Sequence, residues 1–132
     1  MPLLVKAALA GGVLPIHVVD DEISIAEFIA EVLEDYSGKI RCFRSAEAYL
    51  LYLDSDDWVE PELIISDVQM GGMDGFELIK TLRAKGLKSK IIVISGFNSH
   101  FNEPYHDIDY MMTKPFHPDK LLVAVSRLIG LR

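Results

Sequence analysis

Cys42 is the only cysteine in 132 residues. No internal disulfide can form, which excludes a disulfide-stapled secreted scaffold and fits a reducing cytoplasm. Cys42 and the four histidines do not fall at the spacing of zinc ligands, which argues against zinc. Basic residues are in the minority: thirteen Lys and Arg against twenty Asp and Glu give a formal net charge of -7. Nucleic-acid binders carry a basic stripe, and this balance points away from one. No run reaches the roughly 20 apolar residues of a membrane-spanning helix. The apolar stretch Met1 to Ile16 is split by Lys6 and interrupted by Gly11-Gly12, unlike the unbroken core of a signal peptide. Residues 1–15 therefore read as an N-terminal extension with no targeting role. Repeats, low-complexity tracts and linkers are also missing, leaving residues 16–132 as one domain. Half of the chain is hydrophobic and a quarter is charged, enough to bury a core and too apolar for disorder.

From Ile16 onward, short β-branched runs alternate with helical patterns. Strands are expected at Ile16–Val19, Ile40–Phe43, Leu63–Ile65, Ile91–Ile94 and, more weakly, Tyr110–Thr113. Between the first two, Ile25, Phe28, Ile29, Val32, Leu33 and Tyr36 recur at spacings of three and four, a helix that Gly38 would close. Ser45 and Asp74 are placed to cap the next two helices, and Gly86 to end the second of them. Pro118 sits at a first helical position before Leu121, Leu122, Val125, Leu128 and Ile129. The segment Phe97 to Asp109 should hold a helix by alternation. Pro104 and its Asn and Asp residues predict a short or irregular one. Strand–helix alternation with apolar strands implies a parallel sheet covered on both faces.

The polar residues that follow the strands carry the functional signal. The first strand runs into Asp20-Asp21, the third into Asp67, the fourth into Ser95 and the fifth into Lys114. In an open parallel sheet the working crevice lies at the carboxyl ends of the strands. Each residue alone has an ordinary structural use: Asp caps helices, Ser forms turns, Lys is solvated. Five of them at one edge favour a shared site. Clustered carboxylates repel one another unless a cation or proton intervenes, and an oxygen-only donor set suits Mg²⁺. A carboxylate beside such a metal can also serve as a nucleophile toward phosphorus.

Val18 to Asp21, the run DVQMGGMDG from Asp67 to Gly75, Ser95-Gly96 and Lys114-Pro115-Phe116 together resemble a response-regulator receiver domain of the CheY-like kind. The segments IHVVDDE and RCFRSAEAYL are similar to receivers of the FixJ type. The resemblance implies an α/β, flavodoxin-like, doubly wound five-stranded parallel sheet in the order 2-1-3-4-5. It implies Asp67 as phosphoacceptor, Asp21 as a direct Mg²⁺ ligand, Asp20 as holder of metal-bound water, and the Gln69 backbone carbonyl as a further ligand. Lys114 would neutralise phosphoryl charge, Ser95 would supply the hydroxyl that moves on activation, and Gly96 would keep access clear. Pro115 would follow a cis bond that aims Lys114. The implied function is two-component signalling: a histidine kinase or phosphotransfer protein donates the phosphoryl group, which the chain carries and sheds without being a turnover enzyme. A downstream partner or an output domain outside these residues would read the signal, and phosphorylation could drive dimerisation. Neither nucleic acid nor membrane is an expected partner of this chain, whose expected location is the cytoplasm.

Three departures from the family pattern bear on the output side. Gly71 stands where such receivers usually have proline, and Met111 stands where they usually have a switch aromatic. Tyr110 is one residue off, and in a strand one step reverses the side chain's facing. Only nineteen positions separate Ser95 from Lys114, a short span for the family. A flavodoxin-like cofactor protein is disfavoured because Asp20-Asp21-Glu22 would repel a cofactor phosphate. An aspartyl phosphatase would want a second acid where Gln69 stands. The alternative that survives is a receiver-like interaction module working without phosphorylation.

Overall fold

The computed structural model describes residues 14–35, 37–96 and 107–130. The strands are β1 (Ile16–Val19), β2 (Ile40–Phe43), β3 (Leu63–Asp67), β4 (Lys90–Ser95) and β5 (Tyr110–Thr113). The helices are α1 (Ile23–Val32), α2 (Ala46–Leu53), α3 (Gly75–Ala84) and α4 (Pro118–Val125), the last continuing into a π-turn at Ser126–Gly130. Every strand pairing is parallel, in the order β2-β1-β3-β4-β5. This is the flavodoxin-like order expected from the sequence. The irregular helix expected over Phe97–Asp109 falls, from 97 to 106, outside the described residues.

The central strands are buried on both faces, and the two-residue period of a strand divides them between two half-cores. Ile16, Val18, Leu63, Ile65, Ile92 and Ile94 face one way, with Leu121 and Val125 of α4 and Ile29 of α1. Val19, Ile64, Ile91 and Val93 face the other way, with Tyr49 of α2 and Leu78 and Leu82 of α3. Met111 joins this second half-core and Met112 the first, while Tyr110 is exposed at 36 %. Along β5 the facing thus reverses at each step, and Tyr110 does not share the side of Met111.

Helix ends follow local chemistry. Asp74 accepts from the Glu77 N–H at 2.8 Å while Glu77 accepts from the Asp74 N–H at 3.4 Å, a reciprocal cap on α3. Gly86 closes α3 with φ +91°, a backbone region that glycine enters without a Cβ penalty. Helix α1 differs from expectation, because it ends at Val32 rather than reaching Gly38, which has no left-handed φ. Ser37 makes the turn there instead. Its hydroxyl donates to the Leu14 carbonyl at 2.5 Å and accepts from the Lys39 N–H at 3.0 Å.

Two further features lie away from the strand ends. His17 of β1 is buried among Phe43, Tyr49, Tyr52 and Trp58, with Nδ1 2.7 Å from the Tyr49 hydroxyl. Arg83 at the end of α3 donates to the carbonyls of Leu87, Ser89 and Asp107, fixing the approach to β5. Among the described residues no helix is long and apolar enough to cross a membrane.

Candidate functional site

Sheet register brings the polar residues together. Val19 is paired with Ser66, so Asp20 and Asp67 are the next residues on adjacent strands. Asp67 is paired with Ile94, one residue before Ser95, and Ser95 is paired with Thr113, one residue before Lys114. A backbone hydrogen bond of 2.7 Å from the Lys114 N–H to the Ser95 carbonyl extends that pairing past the strand. The Lys114–Pro115 peptide bond is cis.

Asp20 and Asp67 are almost wholly buried, at 2 % and 5 % exposure. The Lys114 ammonium lies 3.4 Å from Asp20 Oδ2, 3.4 Å from Asp67 Oδ1 and 3.3 Å from Glu22 Oε1. One cation is thus shared among three anions, with no close bidentate pair. The Asp67 carboxylate also accepts from the Val68 N–H at 2.9 Å, and Asp20 from the Glu22 N–H at 2.9 Å. Burial, reinforced by the charge of Asp20, pushes Asp67 up to about 6 against the opposing pull of Lys114. Burial likewise raises Asp20, despite the Glu22 N–H and Lys114. Burial alone would lower Lys114, but Asp20, Asp67 and Glu22 outweigh it and hold the ammonium above its ordinary value.

Carboxylate oxygens of Asp20, Glu22 and Asp67 lie within 4.8 Å of one another. Three carboxylates facing one ammonium leave excess negative charge, and their all-oxygen donor set fits a hard dication. Asp20, Asp67 and Lys114 therefore meet at the strand ends, and Ser95 adjoins them through its backbone bond with Lys114, its hydroxyl turned to Met112. Asp21 is exposed and stands outside the close cluster, where Glu22 takes the third position. Glu22 was not singled out from the sequence, although its place directly after two strand-end acids was the available signal.

Ser95 is fully buried, and its hydroxyl donates to the Met112 carbonyl over 3.4 Å, a long and weak bond. Gln69 is exposed beside Asp67. A Cβ on Gly96 would meet no described atom within 4 Å. In the loop after β3, a Cβ on Gly71 would meet no described atom within 4 Å, and the restraint comes from Glu47 of α2, whose carboxylate accepts from the Met73 N–H at 2.8 Å. Gly75 matters more than its sequence reading as loop punctuation suggests. Its N–H donates to the Val68 carbonyl at 2.9 Å, and a Cβ there would lie 2.2 Å from the Asp67 carbonyl oxygen.

A family model for the response regulator receiver domain matches residues 16–126. The transcriptional regulatory protein FixJ of Azorhizobium caulinodans is 32% identical over 124 residues, covering 89% of this chain and 56% of that protein. The heme response regulator HssR of Staphylococcus epidermidis is 28% identical over 115 residues, 85% of this chain and 50% of HssR. The chain spans about half the length of the curated relatives it matches. Among solved structures, the response regulator TrrA from Thermotoga maritima, in complex with Mg(2+)-BeF, has a TM-score of 0.74 at 28% identity, over 88% of this chain and 99% of TrrA. Vibrio cholerae CheY4 gives 0.75 at 24% identity, covering 89% of this chain and all of its own.

Proposed function

The chain belongs to the response regulator receiver domain family of two-component systems, and we propose that Asp67 is its phosphoacceptor. The observation that supports this most is the buried Asp67 carboxylate beside Asp20 and within 3.4 Å of the Lys114 ammonium, at the open edge of the sheet. One Asp67 carboxylate oxygen attacks phosphorus and forms an acyl phosphate. The P–N bond of a phosphohistidine donor, or the P–O bond of a small acyl phosphate, breaks, and the donor leaves with the bonding pair. Lys114 already faces the reacting carboxylate and can turn to a phosphoryl oxygen without crossing the site. Ser95 gives up only a weak bond to Met112 when its hydroxyl turns toward the new group. Attack of water on phosphorus returns the free carboxylate, so the chain is a carrier rather than a turnover enzyme.

Mg²⁺, held by Asp20, Asp21, Asp67 and the Gln69 carbonyl, would supply charge neutralisation for the phosphoryl oxygens. Asp21 would be the direct ligand and Asp20 the holder of metal-bound water, roles carried over from the family, with Gly96 leaving the access path clear. The donor in this reading is a histidine kinase or a histidine phosphotransfer protein in the cytoplasm. Residues 16–132 act as one receiver, and a downstream protein or an attached output domain reads their state, with dimerisation as one available response.

The test is direct. Incubation with Mg²⁺ and acetyl phosphate should add one phosphoryl group per chain by intact mass, and Asp67→Asn should take up none while keeping the fold. Equal labelling of the Asn variant would remove Asp67 from this role.

A further inference from the structure

We propose that Glu22 is a positioning residue for the reaction at Asp67: it holds the Lys114 ammonium in the resting site and must release it when an anionic phosphoryl group arrives. The inference rests on the reading of Asp67 as phosphoacceptor and adds a residue that the strand-end pattern did not supply.

Geometry delivers the Glu22 side chain to this place. Its N–H donates to Asp20 Oδ1 at 2.9 Å, and its carbonyl accepts from the N–H groups of Ile25 and Ala26 at 3.0 and 3.1 Å. The Glu22 backbone is therefore pinned between the acidic site and the first turn of α1. It occupies the N-cap of that helix, yet its carboxylate makes no capping hydrogen bond and instead lies 3.3 Å from Lys114 Nζ. The short side chains of Ser, Thr, Asp and Asn suit an N-cap, whereas the longer side chain of Glu22 reaches past the first turn to Lys114.

The three anions around Lys114 differ in how easily they let go. Asp20 and Asp67 are buried, and losing the cation would leave a buried charge uncompensated. The Glu22 side chain is 60 % exposed while that of Lys114 is 17 % exposed, so water can take over the solvation of Glu22. Glu22–Lys114 is thus the contact that yields. The same carboxylate acts in two opposite directions. It adds negative charge that favours a dication, and it repels and competes with a phosphoryl anion for Lys114.

That opposition gives a signature which a bystander on the surface would not produce. In Glu22→Gln, affinity for Mg²⁺ alone should fall about threefold, and affinity for fluoroberyllate at saturating Mg²⁺ should rise about fivefold, the scale of an exposed ion pair. Glu22→Asp keeps the charge but draws the carboxylate back from Lys114. It should retain most Mg²⁺ affinity and gain part of the fluoroberyllate affinity. Both quantities are read by calorimetric titration of the full chain. Wild-type-like or weaker fluoroberyllate binding by a Glu22→Gln protein that still binds Mg²⁺ would overturn the role of Glu22 alone. A folded wild type that binds Mg²⁺ but no fluoroberyllate would overturn the reading of Asp67 and this inference with it.

Discussion

Gly75→Ala is expected to lower stability by about 3 kcal/mol, the upper end of what overpacking at a tight contact costs, and to slow phosphorylation of Asp67 as well. The added Cβ would sit 2.2 Å from the Asp67 carbonyl oxygen, 3.1 Å from its carbonyl carbon and 3.1 Å from Val68 Cα. All three are backbone atoms, so no rotamer change relieves the clash. Gly75 is also tied to the Val68 carbonyl by its own N–H, which keeps the start of α3 against the end of β3. Relief requires moving α3 away from β3 by about an ångström, judged against ordinary contact distances. The residue displaced with it is Asp67. At an unhindered first-turn position the same substitution would stabilise by about 0.4–1 kcal/mol through the unfolded chain, so the sign itself is diagnostic. Gly71→Ala in the same loop is the control, because a Cβ there meets no described atom within 4 Å. Urea unfolding should show a lower midpoint at constant slope for Gly75→Ala and little change for Gly71→Ala. Equal midpoints would show that the loop yields without cost.

What could be read from the sequence and what could not divide along a physical line. Strand ends, the Asp74 cap, the Gly86 stop and Pro118 at a helix start are encoded within a few neighbouring residues. Local periodicity and backbone restriction specify them directly. Asp67, Asp20, Lys114 and Ser95 were legible for a related reason, since parallel pairing puts every strand's carboxyl end on one edge whatever the exact register. Glu22 was not legible, because an acid after two acids reads as a solvated charge until the position of Lys114 is known. Gly75 looked like turn punctuation because its close neighbour, the Asp67 carbonyl, is eight residues back across a loop. His17 sits mid-strand and its aromatic surroundings come from β2, α2 and the loop at Trp58, three segments that only the packed sheet brings together. The early end of α1 depended on the Ser37 hydroxyl reaching Leu14, a contact over 23 positions.

Metal-free Asp67→Asn should be more stable than the wild type near pH 7.5, and it should lose about 3 kcal/mol of stability between pH 6.5 and 4 that the wild type largely keeps. Two buried groups with opposite signs produce this. Burial, with Arg41 adding to it, brings His17 down from 6.5 to about 4. The unfolded chain then takes up that proton first as the pH falls, so the stability due to neutral His17 is present above 6.5 and is lost on the way to about 4. Asp67 behaves in reverse. Its pKa in the folded chain is about 6 against an ordinary 3.8, so the folded chain takes up the proton first and gains relative stability as the pH falls through 6. Asp20, also raised, works in the direction of Asp67. The shifts of His17 and Asp67 are each worth about 3 kcal/mol, over overlapping ranges, and in the wild type they largely offset one another. Asparagine at 67 removes the Asp67 share of that balance, leaves only Asp20 on that side, and so exposes most of the His17 slope. Saturating Mg²⁺ should make the wild type resemble the variant in shape above pH 5, because a bound dication keeps Asp67 ionised. Denaturant unfolding at a series of pH values, with the His17 ring signals followed by NMR, measures both halves. Parallel stability curves for the wild type and Asp67→Asn, or a His17 ring that titrates near 6.5 in the folded chain, would show that the two buried groups do not oppose one another.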